Sequence, residues 1–170
     1  MKTKVILTLC VVFVWGLVPI VSAQVVAGSP EDKAFQQIDA ENNVDSKITL
    51  LNDFERQYPQ SKALREIYLL QMTIYQQKND QPKIIEVGEK LIKVDAENLS
   101  GLLTLSRAYS LERKNLDRAV QYAQKAVDIT ARLKTQPPQN GYSDEQWKQY
   151  VDSNEQLAKS YLSYARSLKP

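Results

Sequence analysis

Between Leu64 and Arg132 the apolar residues fall at helical spacing twice over. In the first pass they are Tyr68, Leu69, Met72 and Tyr75, then, after the polar run Gln77-Lys78-Asn79-Asp80, Ile84, Ile85, Val87, Leu91, Ile92 and Val94. In the second they are Leu102, Leu103, Leu105 and Tyr109, then, after Glu112-Arg113-Lys114-Asn115, Ala119, Val120, Tyr122, Ala123, Ala126, Val127 and Ile129. Recurrence at three and four residues sets each group on one helical face, so the stretch predicts four helices in two pairs. Tyr75 and Tyr109 stand 34 residues apart, and Leu91 and Ala126 stand 35 apart. Two antiparallel helices cannot bury both apolar faces alone and need a neighbouring pair. A period of this length therefore predicts an all-α helical solenoid.

The flanks extend the pattern with less regularity. Ser29-Pro30-Glu31 reads as a helix start, with Ser29 as N-cap, Pro30 in the first turn and acids complementing the helix dipole. That helix would carry Ala34, Phe35 and Ile38 inward and end near Asn42-Asn43. Asp45 or Ser46 would cap the next, with Ile48, Leu50, Leu51 and Phe54 on its apolar face and a stop at Tyr58-Pro59, because the residue before proline is pushed out of helical space. Beyond Arg132 the period is lost, and residues 133–142, with Pro137-Pro138 and Gly141, read as a linker. Ser143 and Gln146 then have capping-box spacing, opening a helix over 143–169 whose stripe is Trp147, Val151, Ala158, Tyr161, Ala165 and Leu168. A solenoid needs a helix to cover its open end, and this one is expected to do so. The alternative is a seam that docks a partner or a second copy of the chain.

The second unit resembles the tetratricopeptide repeat (TPR) family. Leu102, Leu105, Ser106 and Tyr109 sit where the family has its Trp/Leu/small/Tyr helix, Asn115-Leu116-Asp117-Arg118-Ala119-Val120 is similar to its turn into the second helix, and Tyr122, Ala123, Lys125 and Ala126 to that helix's close-packing face. The first unit departs from the pattern at Met72, Ile84 and Leu91, where the family prefers Gly or Ala, and Asp95-Ala96-Glu97-Asn98 resembles its helix-ending Asp-Pro-x-Asn without the proline. Leu51, Phe54 and the Tyr58-Pro59 ending are similar to a second TPR helix. The resemblance thus implies repeats over 30–60 (degenerate), 62–98 and 99–132. It also implies a concave face, lined by the first helix of each pair, that holds a protein or peptide. Mapped by resemblance, that groove comprises Glu66, Leu69, Thr73 and Gln76 from one unit and Leu103, Arg107 and Ser110 from the next. A TPR subclass clamps a C-terminal carboxylate with Lys and Asn on this face. Leu69, Thr73, Leu103 and Arg107 stand there instead, so that recognition is not expected, and Arg107 is left as the groove cation.

The N-terminus changes the setting. Met1-Lys2-Thr3-Lys4 is a short basic region, Val5 to Val18 an apolar run too short to span a bilayer, and Val21-Ser22-Ala23 a small-residue cleavage site. Residues 1–23 are therefore expected to be a signal peptide removed after Ala23, leaving a periplasmic or secreted chain with a flexible tail over 24–29 and no membrane span. Retention as an uncleaved anchor is the alternative. Cys10 is not expected to be lipidated, because apolar sequence runs well past it.

Composition then narrows the chemistry. The single cysteine leaves with the leader, and the chain has no histidine. Disulfides, Cys/His metal sites, cysteine nucleophiles and Ser-His-Asp triads are excluded from the mature chain. Loss of Lys2 and Lys4 turns 22 basic and 20 acidic residues into 20 of each, so no basic field for nucleic acid is implied. Five glycines form no phosphate-cradling loop. Carboxylates such as Asp53, Glu55, Glu86 and Glu89 are expected to be solvated surface, and the repeat tyrosines to be core residues with hydroxyls at the rim. The sequence points to a scaffold with no cofactor and no catalytic residues, with self-association through the last helix as a second reading.

Overall fold

The computed structural model describes residues 26–139 and 141–169. The expected leader over 1–23, with its cleavage site after Ala23, lies outside the described residues. Seven α-helices are described: α1 (Pro30–Ala40), α2 (Val44–Gln57), α3 (Leu64–Gln77), α4 (Gln81–Val94), α5 (Leu99–Glu112), α6 (Leu116–Leu133) and α7 (Asp144–Ser167). Each packs on the helix before and after it, and α7 packs on α5 as well as α6. The fold is an all-α, repeat-like stack, and none of the described helices is long and apolar enough to cross a membrane.

Local chemistry sets the helix ends. Ser29, Asp80 and Asn98 accept hydrogen bonds from the backbone N–H groups of Asp32, Lys83 and Gly101, and Ser143 and Gln146 form a reciprocal capping box. The cap of α2 is Asn43 rather than Asp45 or Ser46. Its Oδ1 accepts from the N–H groups of both those residues at 3.0 Å, which places them inside the first turn. Two internal details carry the repeat. Asn79 and Arg113, 34 residues apart, both take left-handed backbone at the end of a first helix (φ 54° and 51°). One turn before them Tyr75 and Tyr109 are both buried.

The core runs through the stack. Ile38, Leu51, Phe54, Ile67, Met72, Ile84 and Leu91 join α1 to α4, while Leu102, Leu103, Ala126, Ile129 and Ala158 join α5, α6 and α7. On α6 the inward residues Ala119, Ala123 and Ala126 are all fully covered, and their small size lets α5 and α7 approach closely. On α7 the buried stripe is Trp147, Val151, Ala158, Leu162 and Ala165. Leu162 takes the place expected for Tyr161 and Leu168, which are only half-buried. Residues four apart keep nearly one direction on a helix of 3.6 residues per turn, and Ala158 and Leu162 follow that row.

The expected solvated carboxylates divide. Asp53 pairs with Arg56 at the surface, but Glu55 and Glu89, 34 residues apart, tie helices together. Glu55 on α2 accepts from the Tyr68 hydroxyl of α3 (3.3 Å) and pairs with Lys90 of α4 (2.9 Å). Glu89 on α4 takes three donors on one oxygen: the Tyr109 hydroxyl of α5 (2.8 Å), the Tyr122 hydroxyl of α6 (2.8 Å) and Arg118 Nη1 (3.0 Å). Burial first, then the neighbouring Glu55 charge, pushes the Tyr68 phenol up to about 12. Burial and Glu89 raise Tyr109 and Tyr122 in the same direction.

A phenol whose pKa is raised on folding holds its proton more tightly in the native state. Its contribution to stability is therefore complete below the ordinary value of 10 and is lost as pH climbs through the raised values. We expect the chain to keep a nearly constant Tm from neutral pH to about 10 and to lose stability from there toward pH 12. Phenolate absorbance of the native chain should lag behind that of the urea-unfolded chain. Coincident titration curves would show that these hydroxyls are not held as described.

A candidate peptide-binding groove

The odd-numbered helices α3, α5 and α7 present one connected surface. A cleft of about 480 Å³ is lined by Gln76 of α3, by Ser100, Leu103, Thr104 and Arg107 of α5, and by Tyr150, Asn154, Leu157 and Tyr161 of α7. A second, of about 290 Å³, lies toward the start of α3 and α5, where Arg65, Leu69, Asp95, Asn98 and Leu99 meet Arg132 and Leu133 at the end of α6. Ser100 and Tyr150 line both, so the two clefts form one groove.

The seven residues expected to line the groove divide. Leu69 lines the smaller cleft, and Gln76 and Arg107 line the larger one. Gln76 Nε2 donates to Thr104 Oγ1 (3.1 Å), bridging α3 and α5 across the floor. Leu103 also borders the larger cleft but is only 4 % exposed, because it packs with Leu99, Ala126 and Ile129. Thr73 is exposed, with its hydroxyl turned back to the Leu69 carbonyl (2.9 Å), and Glu66 is half-buried and paired with Arg65 (3.0 Å). Ser110 does not face the groove. It is 1 % exposed and its hydroxyl donates to the Ser106 carbonyl (2.8 Å), since the last turn of α5 buries that side against its neighbours.

Among the groove residues outside the sequence expectation, Tyr150, Asn154, Leu157 and Tyr161 all stand on α7, while Ser100 and Thr104 stand on α5. The resemblance implies a concave wall made by the repeats alone, with the last helix expected to cover the open end or, as the alternative, to dock a partner, whereas α7 packs beside α5 and adds four residues to the wall. The available signal was the spacing of Tyr150, Leu157 and Tyr164, a second apolar stripe separate from the buried one.

Charge is distributed unevenly along the groove. At its narrower end the ions are paired: Arg65 Nε with Asp95 (2.8 Å), and Arg132 with Glu97 through both guanidinium nitrogens. Burial pushes the Asp95 carboxyl up, but the hydrogen bonds from Arg65 and Asn98 outweigh it and hold the group below the usual carboxylate range. At the wider end Arg107 is exposed and has no ion-pair partner among the described residues. Around it stand hydroxyls, amides, leucine and tyrosine rings, a mixture that suits apolar side chains and backbone hydrogen bonding together. No protein-family model matches the chain, and no curated protein matches it.

Proposed function

We propose that this chain is a TPR-like scaffold, exported with removal of its leader, that holds an extended peptide or helix of a partner protein along the face shared by α3, α5 and α7. The observation that carries the reading is the groove itself, running past Tyr150 with Arg107, which has no ion-pair partner among the described residues, in its larger cleft. A lone exposed guanidinium beside aromatic and hydroxyl groups fits a partner segment bearing one carboxylate among apolar residues. The basic start, apolar run and small-residue site ahead of Gln24 support export. The absence of histidine throughout the chain, and of cysteine beyond the leader, supports a binding module over an enzyme.

Panning a random-peptide display library against the chain tests this. Enriched peptides are expected to carry an Asp or Glu near an aromatic or aliphatic residue. Arg107→Glu is expected to weaken them at least tenfold, about 1.4 kcal/mol, while Tm stays within the small range of a surface substitution. Peptides that bind Arg107→Glu as well as the parent, or no enrichment at all, would overturn the groove as the working surface.

A further inference from the structure

Helix α7 has three faces of different chemistry. Taking Tyr150 as position a of a heptad, the b positions Val151, Ala158 and Ala165 are buried against α5 and α6. The charged residues Lys148, Asp152, Glu155, Lys159 and Arg166 all occupy c and f. They are satisfied there: Lys148 by Asp152, Lys159 by Glu155, Glu155 by Lys134 of the α6 end, and Arg166 by Gln124 of α6. No residue at a, d, e or g from Gln146 to Leu168 carries a charge. At a stand Tyr150, Leu157 and Tyr164, exposed by 36, 40 and 46 %, and at d stand the exposed serines Ser153, Ser160 and Ser167.

An outward face with a 3.5-residue repeat, large side chains at a and small ones at d has a defined complement. In a parallel pair of such helices the layers would set tyrosine against tyrosine and serine against serine, crowding one layer and emptying the next. In an antiparallel pair each a knob meets a d position across the seam. The spacing fits all three layers in one register: Tyr150 on the partner's Ser167, Leu157 on the partner's Ser160, and Tyr164 on the partner's Ser153. The twofold axis repeats each contact, which is what a closed isologous dimer requires. Two copies meeting along Gln146–Leu168 bring no like charges of that stretch together, because its charges stand at c and f. Aromatic enrichment and charge depletion are also the composition of interface centres.

We infer that the outward a/d seam of α7 is a homodimer interface, in which two copies of this chain pair their last helices antiparallel. This goes beyond the groove reading and does not depend on it. Tyr150 and Leu157 border both surfaces, but Arg107 belongs to α5 and takes no part in the seam.

Sedimentation of the full chain over a range of concentrations tests the inference. A dimer is expected. Leu157→Glu is expected to yield a monomer of unchanged far-UV circular dichroism, since the side chain is already solvent-facing, whose Tm no longer rises with concentration as the parent's does, and Lys148→Glu on the charged face is expected to remain a dimer. In a Cys10→Ser background, chains bearing Leu157→Cys and chains bearing Ser160→Cys should oxidise to the mixed disulfide in preference to either self-linked product. A chain that stays monomeric at every concentration, a dimer that survives Leu157→Glu, or preferential linkage of Leu157→Cys to itself would each overturn the antiparallel seam.

Discussion

Replacing Leu105 by alanine is expected to destabilise the chain by about 2–5 kcal/mol, the range for emptying a fully buried leucine site. In a domain of this size that lowers Tm by roughly 4–20 °C. Leu105 has no exposed surface and sits directly over Gly88 of α4: a Cβ built at Gly88 would lie 2.7 Å from Leu105 Cδ2 and 2.8 Å from its Cγ. Glycine inside a helix costs about 1 kcal/mol relative to alanine, so Gly88 is kept for closeness and not for backbone freedom. Gly88→Ala alone should therefore destabilise, because the overpacking cost of about 1–3 kcal/mol exceeds the propensity gain. In the Leu105→Ala background the obstructing side chain is absent, the added methyl enters the vacated space, and the same substitution should become stabilising. The measurement is a double-mutant cycle by urea unfolding, with a coupling energy of about 0.5–3 kcal/mol expected for residues in contact. Additive effects would mean that α4 and α5 do not meet at this point.

The pair also shows where sequence patterns stop. The four central helices were legible because two signals agree there: apolar residues at three-and-four spacing, and polar turns of fixed length between them. Their observed ends, Leu64–Gln77, Gln81–Val94, Leu99–Glu112 and Leu116–Leu133, fall where that pattern changes. Gly88 carried no signal, since a close approach depends on what the facing helix brings to the same height. Ser110 departs from the pattern for a related reason: Gln76, 34 residues earlier in the last turn of α3, is exposed, whereas Ser110 in the last turn of α5 is buried, so equivalent sequence positions differ in exposure. The α7 stripe was read with Tyr161 and Leu168 in place of Leu162 because that helix carries two apolar stripes. A single-stripe template drifts from one to the other.

Glu89 and Glu55 were the residues least readable in advance, since a glutamate on a helix is ordinarily a solvated surface group. What withdraws Glu89 from that category is convergence across three helices of Tyr109, Tyr122 and Arg118 on one carboxylate oxygen. Glu89→Ala is expected to cost about 1–3 kcal/mol, the penalty for leaving buried donors without an acceptor. Glu89→Gln keeps a carbonyl acceptor of the same reach, loses the charge and turns the other oxygen into an NH2 donor. The ion pair with Arg118, whose side chain is 48 % exposed, contributes little in water, so the glutamine variant should recover most of the stability. Phenolate absorbance gives an independent readout. With the negative charge gone, Tyr109 and Tyr122 should titrate at lower pH than in the parent, yet still above ordinary tyrosine, because burial is the larger cause of their shift. Equal losses for Ala and Gln would assign the effect to charge. No loss for either would mean that the tyrosine hydroxyls reach water as readily as they reach Glu89, and that α4, α5 and α6 are held by apolar packing alone.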